Sequence, residues 1–487
     1  MKNNILILSS FLLFSCSDFY QPAVVSARKE ATQIGLEIMK NGGNAYDAMI
    51  ATHLALAVVH PTAGNIGGGG FFVYHHKDGS SGSLDFREMA PQKAFKDMYL
   101  DENGDVIPDM STLGGLAVGV PGSISAIYKI HSKFGSLPIE DLFEPAINLA
   151  KNGFVVTQKQ SNSLTGKLED FIKVNGEESL YSKRYYEGDT IKNIKFAETL
   201  SKISKFGPEI FYGGEIGEMI VNSVKKAGGI MTLNDLENYK SIWRDPVKFK
   251  YKNLDIISMS LPSSGGILIG QMLKVIEDYD IKSFGHNSVK TVQLLVEAER
   301  RAYADRSHFM GDPDYMNLPV YELMDKEYVV GRMKNFSWDE ATSSSDVKHG
   351  NIILNESDET THYSIIDKHG NSVSVTTTLN NSYGSKVFVE EGGFFLNNEM
   401  DDFSSKPGHP NFYGLIGSEA NSIQPGKRML SSMTPSIILK NNKPSLIVGT
   451  PGGSTIITSV LQTILNVYEF DMNCLLYTSP SPRDSDQ

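Results

Sequence analysis

Two β-prone runs set close together constrain this chain more than its composition does. Thr360-Thr361-His362-Tyr363-Ser364-Ile365-Ile366-Asp367 and Ser372-Val373-Ser374-Val375-Thr376-Thr377-Thr378-Leu379-Asn380 are separated only by Lys368-His369-Gly370-Asn371. Strand-forming residues on both sides of a polar, glycine-containing turn predict an antiparallel hairpin. With Asp367 opposite Ser372, counting outward sets Thr360 opposite Leu379. The pleat then leaves Thr378 and Asn380 on the other face, and a bulge or a one-residue slip is needed for Thr360 to join them. Either way, a hydroxyl at the start of one strand lies near a hydroxyl and an amide at the end of its partner.

That placement suits a nucleophile that carries its own base. A threonine hydroxyl is weak alone, but a threonine that becomes a chain terminus has an α-amine beside it. The amine's reference pKa of roughly 7.7–8.0 leaves a useful neutral fraction near physiological pH. Thr378 could orient Thr360, and Asn380 could read a substrate group. The competing reading is an exposed, threonine-rich hairpin, because threonine favours strands in any case.

Other stretches keep more than one meaning when read from residues alone. Arg87, near the end of a strand-like Leu84–Glu88, could bind a carboxylate with its planar fork or form a surface ion pair with Glu88. Glu399, Asp401 and Asp402 could hold a cation or be solvated, though their spacing is not that of a calcium loop. Gly452-Gly453-Ser454 precedes an apolar helical run, so its N–H groups could stabilise an oxyanion or merely cap the helix. The glycine run Gly67–Gly70 leads into a strand instead of following one. It reads as close backbone packing, not a phosphate loop.

The segment Thr360–Asn380, with Asn397-Asn398-Glu399-Met400-Asp401-Asp402-Phe403 and Pro451-Gly452-Gly453-Ser454, resembles the γ-glutamyltransferase (glutathione hydrolase) family. The similarity runs from about Val25 to about Tyr468. The family consists of N-terminal-nucleophile hydrolases, made as one chain and self-cleaved before the catalytic threonine. The resemblance implies an α+β fold, a four-layer αββα sandwich with an α-rich lobe near residues 150–250. A large segment, 17–359, and a small one, 360–473, would interleave in it after a cut between Glu359 and Thr360. The serine-rich stretch before Glu359 is polar enough to be an accessible junction.

The same resemblance assigns roles. Asp85-Phe86-Arg87-Glu88-Met89-Ala90-Pro91 matches the carboxylate-binding segment, so Arg87, Ser431 and Ser432 would hold a substrate α-carboxylate. Glu399 and Asp402 would hold the α-amine, Gly452 and Gly453 the oxyanion, and Tyr413 would cover the pocket from a lid at Pro407–Ser418. The expected substrates are glutathione, other γ-glutamyl compounds and acceptor amino acids or peptides, with no cofactor and no metal. A cephalosporin-type acylase of the same fold is the nearest alternative, and a non-catalytic amino-acid-binding lipoprotein is the alternative from another class.

Composition serves mainly to exclude. Forty-five Lys and Arg against 57 Asp and Glu give −12 over 487 residues, which argues against a nucleic-acid partner. The apolar run Ile5–Phe14 is too short to span a bilayer as a mature helix and fits an export signal. Leu13-Phe14-Ser15-Cys16 resembles a lipobox, making Cys16 a candidate lipid anchor on a periplasmic protein; an ordinary secretory signal is the alternative. The stretch from Cys474 resembles translated sequencing adaptor, so 474–487 reads as a non-native tail and the small segment as incomplete. The only other cysteine being Cys16, no disulfide is expected.

Overall fold

The computed structural model describes residues 20–316, 318–343, 346–347 and 360–474. The hairpin is present, in a register one residue away from the simplest count. Ile366 faces Ser372 and Thr361 faces Thr377. The Asp367 carboxylate explains the shift: it accepts from the backbone N–H of His369 and Asn371 and from the Asn371 side chain. Asn371 is thereby drawn into the strand pair, leaving a three-residue loop with Gly370 at φ +86°. Counting outward from this register sets Thr360 level with Thr378, the slip that a shared face requires.

The hairpin lies in a six-stranded sheet ordered Ala23–Val25, Thr361–Ile366, Ser372–Thr378, Gly69–His75, Ser81–Asp85 and Ile242–Arg244. Residues from both sides of the junction at 359 therefore share one sheet. A four-stranded sheet, Lys443–Val448, Ser436–Lys440, Leu254–Ser258 and Val247–Tyr251, packs against it. The strand Gly69–His75 shows how: Phe72 and Tyr74 enter the core on the helical side, while Phe71 and Val73 enter the core shared with the second sheet.

Helices Lys29–Lys40, Ala45–Val59 and Ser123–Phe134 cover the first sheet. Gly265–Ile276, Val289–Phe309 and Ile456–Tyr468 cover the second, which completes the expected αββα sandwich. Ala45–Val59 is buried along its whole length and starts with a reciprocal capping box between Asn44 and Asp47. The α-rich lobe has no separate core among the described residues: Phe171, Leu200, Ile203 and Ile220 join that of the first sheet. Ile242–Arg244 and Val247–Tyr251 are strands of the two sheets, so the lobe ends before them.

Where the sheets meet near the hairpin the interior is polar. His362 bridges the Thr376 and Ser364 hydroxyls at 3.0 and 2.9 Å. Burial lowers its pKa to about 3, which keeps the imidazole neutral. The Ser364 and Ser374 hydroxyls donate across the gap to the carbonyls of Ile447 and Val448. No residue of Ser372–Thr378 is exposed, which removes the reading of a solvated threonine-rich hairpin.

The glycine run fulfils the packing expectation, since a Cβ on Gly68 would lie 2.2 Å from the Thr378 carbonyl oxygen. Asn65 fixes that approach. Its Nδ2 reaches the Ala63 carbonyl, the Thr377 hydroxyl and the Thr378 carbonyl, while its Oδ1 accepts from Gly68 N–H and the Ser123 hydroxyl. Asn65→Ala should strand several buried polar groups and destabilise the fold by about 3 kcal/mol. Denaturant unfolding beside a neutral surface substitution checks this.

Candidate active site

One small cavity at the end of the hairpin gathers residues from five separate parts of the chain. Arg87, Thr360, Thr378, Asn380, Glu399, Asp402, Tyr413, Ser431, Ser432 and Gly453 all line it. Thr360 is buried where the strand Thr361–Ile366 begins. Glu359 and Cys16 lie outside the described residues, as does 475–487; Cys474 is exposed with a free thiol.

Arg87 follows the strand Ser81–Asp85 and is about 1% exposed, which excludes a surface ion pair. Its Nη1 lies 2.5 Å from Glu399 and 3.8 Å from Glu88, and its Nη2 donates to Asp402. The groups assigned to opposite ends of a substrate thus meet in one ion-paired cluster. Burial favours a neutral guanidine, but Glu399, Asp402 and Glu88 outweigh it and raise the Arg87 pKa. Burial drives Glu399 well above the carboxylate range and also raises Asp402, in both cases overcoming the attraction of Arg87. Glu88 is pushed up to about 8 by burial. Three carboxylates around one guanidinium make a site that favours an added cation.

Ser431 and Ser432 face the cavity as oriented donors. Ser431 Oγ accepts from Met433 N–H at 3.1 Å, and Ser432 Oγ accepts from Arg306 Nη2 at 3.1 Å. A hydroxyl that accepts in this way keeps its hydrogen for another partner, here one that can only accept, such as a carboxylate. Thr378 Oγ1 likewise accepts from Asn380 N–H at 2.8 Å. Asn380 takes a left-handed φ of +73°, and its Nδ2 donates to the Asn398 carbonyl.

The 407–418 segment closes over these groups. Tyr413 donates to the Asn380 carbonyl at 2.6 Å, and Asn411 Nδ2 donates to Asp402 Oδ1 at 3.1 Å. Asp401, raised to about 6 by burial, accepts from Phe412 N–H and the Ser111 hydroxyl. Gly453, at φ +50°, lies directly under the Tyr413 ring, which a Cβ would approach to 2.4 Å. Gly452, at φ +133°, precedes a short 3₁₀ turn, Gly453–Thr455, that leads into the helix Ile456–Tyr468. Of the two glycines, Gly453 is the one that lines the cavity with Thr360.

Sequence reading missed Arg306 and the positioning part of Ser264. Arg306 lies in Val289–Phe309, a helix dense in charged residues, yet Arg301, Asp305 and Arg306 are all buried. A run of charged residues on the core-facing stripe of that helix is the signal that could have marked it.

A four-layer αββα sandwich with a threonine at the head of a central strand, facing a small ion-paired cavity, defines a threonine N-terminal-nucleophile hydrolase. Residues 31–479 match the family model described as gamma-glutamyltranspeptidase. The glutathione hydrolase proenzyme of Escherichia coli (strain K12) is 42% identical over 465 residues, 93% of this chain and 79% of that protein. Helicobacter pylori gamma-glutamyltranspeptidase superposes with a TM-score of 0.66 at 42% identity, over 67% of this chain and 95% of that one. Bacillus halodurans cephalosporin acylase, 24% identical, shares the fold over 96% of this chain and 85% of its own, with a TM-score of 0.78. The chain belongs to the gamma-glutamyltranspeptidase family and is a self-processing enzyme of that family.

The raised carboxylates set a pH dependence. A ligand ammonium docked on Glu399 and Asp402 would need them ionised, so its binding would be full above their folded pKa values and lost as pH falls through them. Because both pKa values are raised, the loss begins well above the roughly pH 4 at which a solvated carboxylate titrates. KM for an amino-acid-headed donor should therefore climb as pH is lowered, with kcat less affected. Glu399→Gln should raise KM at high pH and flatten the profile; steady-state kinetics across the pH range test both.

Proposed function

We propose that Thr360 is the nucleophile of a γ-glutamyl transfer reaction acting on glutathione and related γ-glutamyl compounds. In this reading the chain first cuts itself between Glu359 and Thr360, which turns the Thr360 amide into an amine. The observation that carries the proposal is the meeting of Arg87, Glu399 and Asp402 with the two serine donors beside Thr360. A free α-amino acid head brings one carboxylate and one ammonium. It can exchange with the internal ion pair charge for charge, the carboxylate going to Arg87, Ser431 and Ser432 and the ammonium to Glu399 and Asp402. An α-linked peptide has tied up one of those two groups in an amide and would leave buried charge uncompensated.

The chemistry follows from the placement. Thr360 Oγ1 attacks the γ-carbonyl carbon while its hydroxyl proton passes to the α-amine. The Thr378 hydroxyl orients the nucleophile, Asn380 borders the reacting group, and the N–H groups of Gly452 and Gly453 receive the developing oxyanion. Collapse breaks the C–N bond, and the amine returns the proton to the leaving nitrogen. Water or an acceptor amine then attacks the γ-glutamyl ester and regenerates Thr360. Tyr413, held on Asn380, covers the pocket during these steps.

The acylase alternative needs a pocket for a bulkier acyl side chain. The cavity is small and its acidic pair is tied to a hydrogen-bonded cover, which favours the γ-glutamyl reading. At the N-terminus, the lipobox at Cys16 supports export with a lipid anchor. Among the described residues no helix is long and apolar enough to cross a membrane.

Expression without added protease should yield a small fragment whose first residue, by N-terminal sequencing, is Thr360. A fragment starting elsewhere overturns the nucleophile assignment. Thr360→Ala should stay as one uncut chain without turnover. Arg87→Lys should still self-cleave, but its KM for γ-glutamyl donors should rise roughly tenfold to a hundredfold, because lysine loses the planar fork. An unchanged KM removes Arg87 from the carboxylate site.

A further inference from the structure

Arg306 is a buried guanidinium, about 4% exposed, on the helix Val289–Phe309. Its Nε donates to the Ser264 hydroxyl at 2.9 Å and its Nη2 to the Ser432 hydroxyl at 3.1 Å. Among the described residues no carboxylate lies within ion-pair distance of it. Every other buried arginine of the described core, Arg87, Arg301 and Arg428, has a carboxylate there. Tyr303 acts on it first, and the one carboxylate whose field reaches it is Asp402, already bonded to Arg87 and Asn411. A desolvated cation without a counter-charge is costly, and one that faces a ligand subsite is balanced when the ligand brings the anion.

Its two partners show what it does there. Ser264 accepts from Arg306 and passes its own hydrogen to the Ser431 carbonyl at 2.8 Å, while Ser264 N–H donates to the same carbonyl at 2.9 Å. The serine pair is thus anchored from behind. On Ser432, the Arg306 bond occupies a lone pair and points the hydroxyl hydrogen away from the guanidinium.

We propose that Arg306 is a positioning residue for the substrate α-carboxylate: it commits Ser432 to donate and places a second positive charge behind the carboxylate subsite. The inference rests on the γ-glutamyl reading above and deepens it. The donor's carboxylate is held by one arginine directly and by a second through a hydroxyl, while the ammonium end has only acids. The residue makes the enzyme selective for donors that retain the α-carboxylate.

The test compares an L-γ-glutamyl anilide with its 4-aminobutyryl counterpart, which keeps the amine and lacks only the α-carboxylate. Self-cleavage and thermal unfolding report folding of each variant. Arg306→Gln should raise KM for the glutamyl donor roughly tenfold to a hundredfold with little change in kcat. It should leave kcat/KM for the 4-aminobutyryl donor within about twofold. Arg306→Lys should fall between. Ser264→Ala, which removes one anchor and keeps the charge, should show a smaller loss with the same donor selectivity. If Arg306→Gln does not fold, the other two variants carry the test. Calorimetric binding of L-glutamate against 4-aminobutanoate reads the same difference without turnover. Equal losses on both donors, or no loss on either, overturn the proposal. A wild type that never turns over the glutamyl donor instead overturns the γ-glutamyl reading.

Discussion

A guanidinium as buried as that of Arg87 is costly unless its charge is matched, and matching it assembles the site. Its partners Glu399 and Asp402 sit in a single turn of 3₁₀ helix more than three hundred residues downstream. Its Nε reaches the Met429 carbonyl at 3.3 Å, next to the serine pair. Breaking a buried pair by removing one member leaves uncompensated charge, which costs about 3–5 kcal/mol. Arg87 therefore ties together the strand Ser81–Asp85, the acidic turn and the segment before Ser436–Lys440. The ion-paired cluster is a long-range clasp between the two sheets' loops.

The same clasp explains how the site stays both assembled and open to exchange. The carboxylates remain high in pKa because one guanidinium does not offset three desolvated acids. A zwitterion that inserts between the arginine and the acids replaces each internal contact with one of the same sign. On the proposed reading the internal pair would be a template of the amino acid head, with the two serine hydroxyls free to donate.

Much of this was legible in the sequence because the informative features are local. The capping box at Asn44 and Asp47, the fully apolar helix after it, the glycine run and the two hairpin strands each declare themselves within a few residues. The register did not, because it depends on the Asp367 carboxylate pulling Asn371 out of the turn, a bond that residue type alone does not fix. Family motifs pointed to Arg87, Glu399 and Asp402 individually. Their mutual ion pairing needed three dimensions, as did the burial that shifts their pKa values. Arg306 and Asn65 were missed for one reason: each is a polar residue whose partners lie far away in sequence, and spacing carries no trace of them. Ser264, too, finds its partner far away in sequence, behind Ser431, where it holds the serine pair.

Closure of the pocket shares its chemistry with recognition. Asp402 gives one oxygen to Arg87 and the other to Asn411, which in turn accepts from the N–H groups of Tyr413 and Leu415. Asp401, its neighbour, holds Phe412 N–H, so consecutive acidic residues anchor consecutive residues of the covering segment. The Tyr413 hydroxyl then reaches the carbonyl of Asn380, itself bonded to Thr378. A ligand ammonium that competes for Asp402 acts on the acid that also steadies the cover. The cover, through Tyr413 and Asn380, reports to the strand end facing Thr360. The ion-paired acids, the covering segment and the strand end facing Thr360 thus belong to one hydrogen-bonded chain.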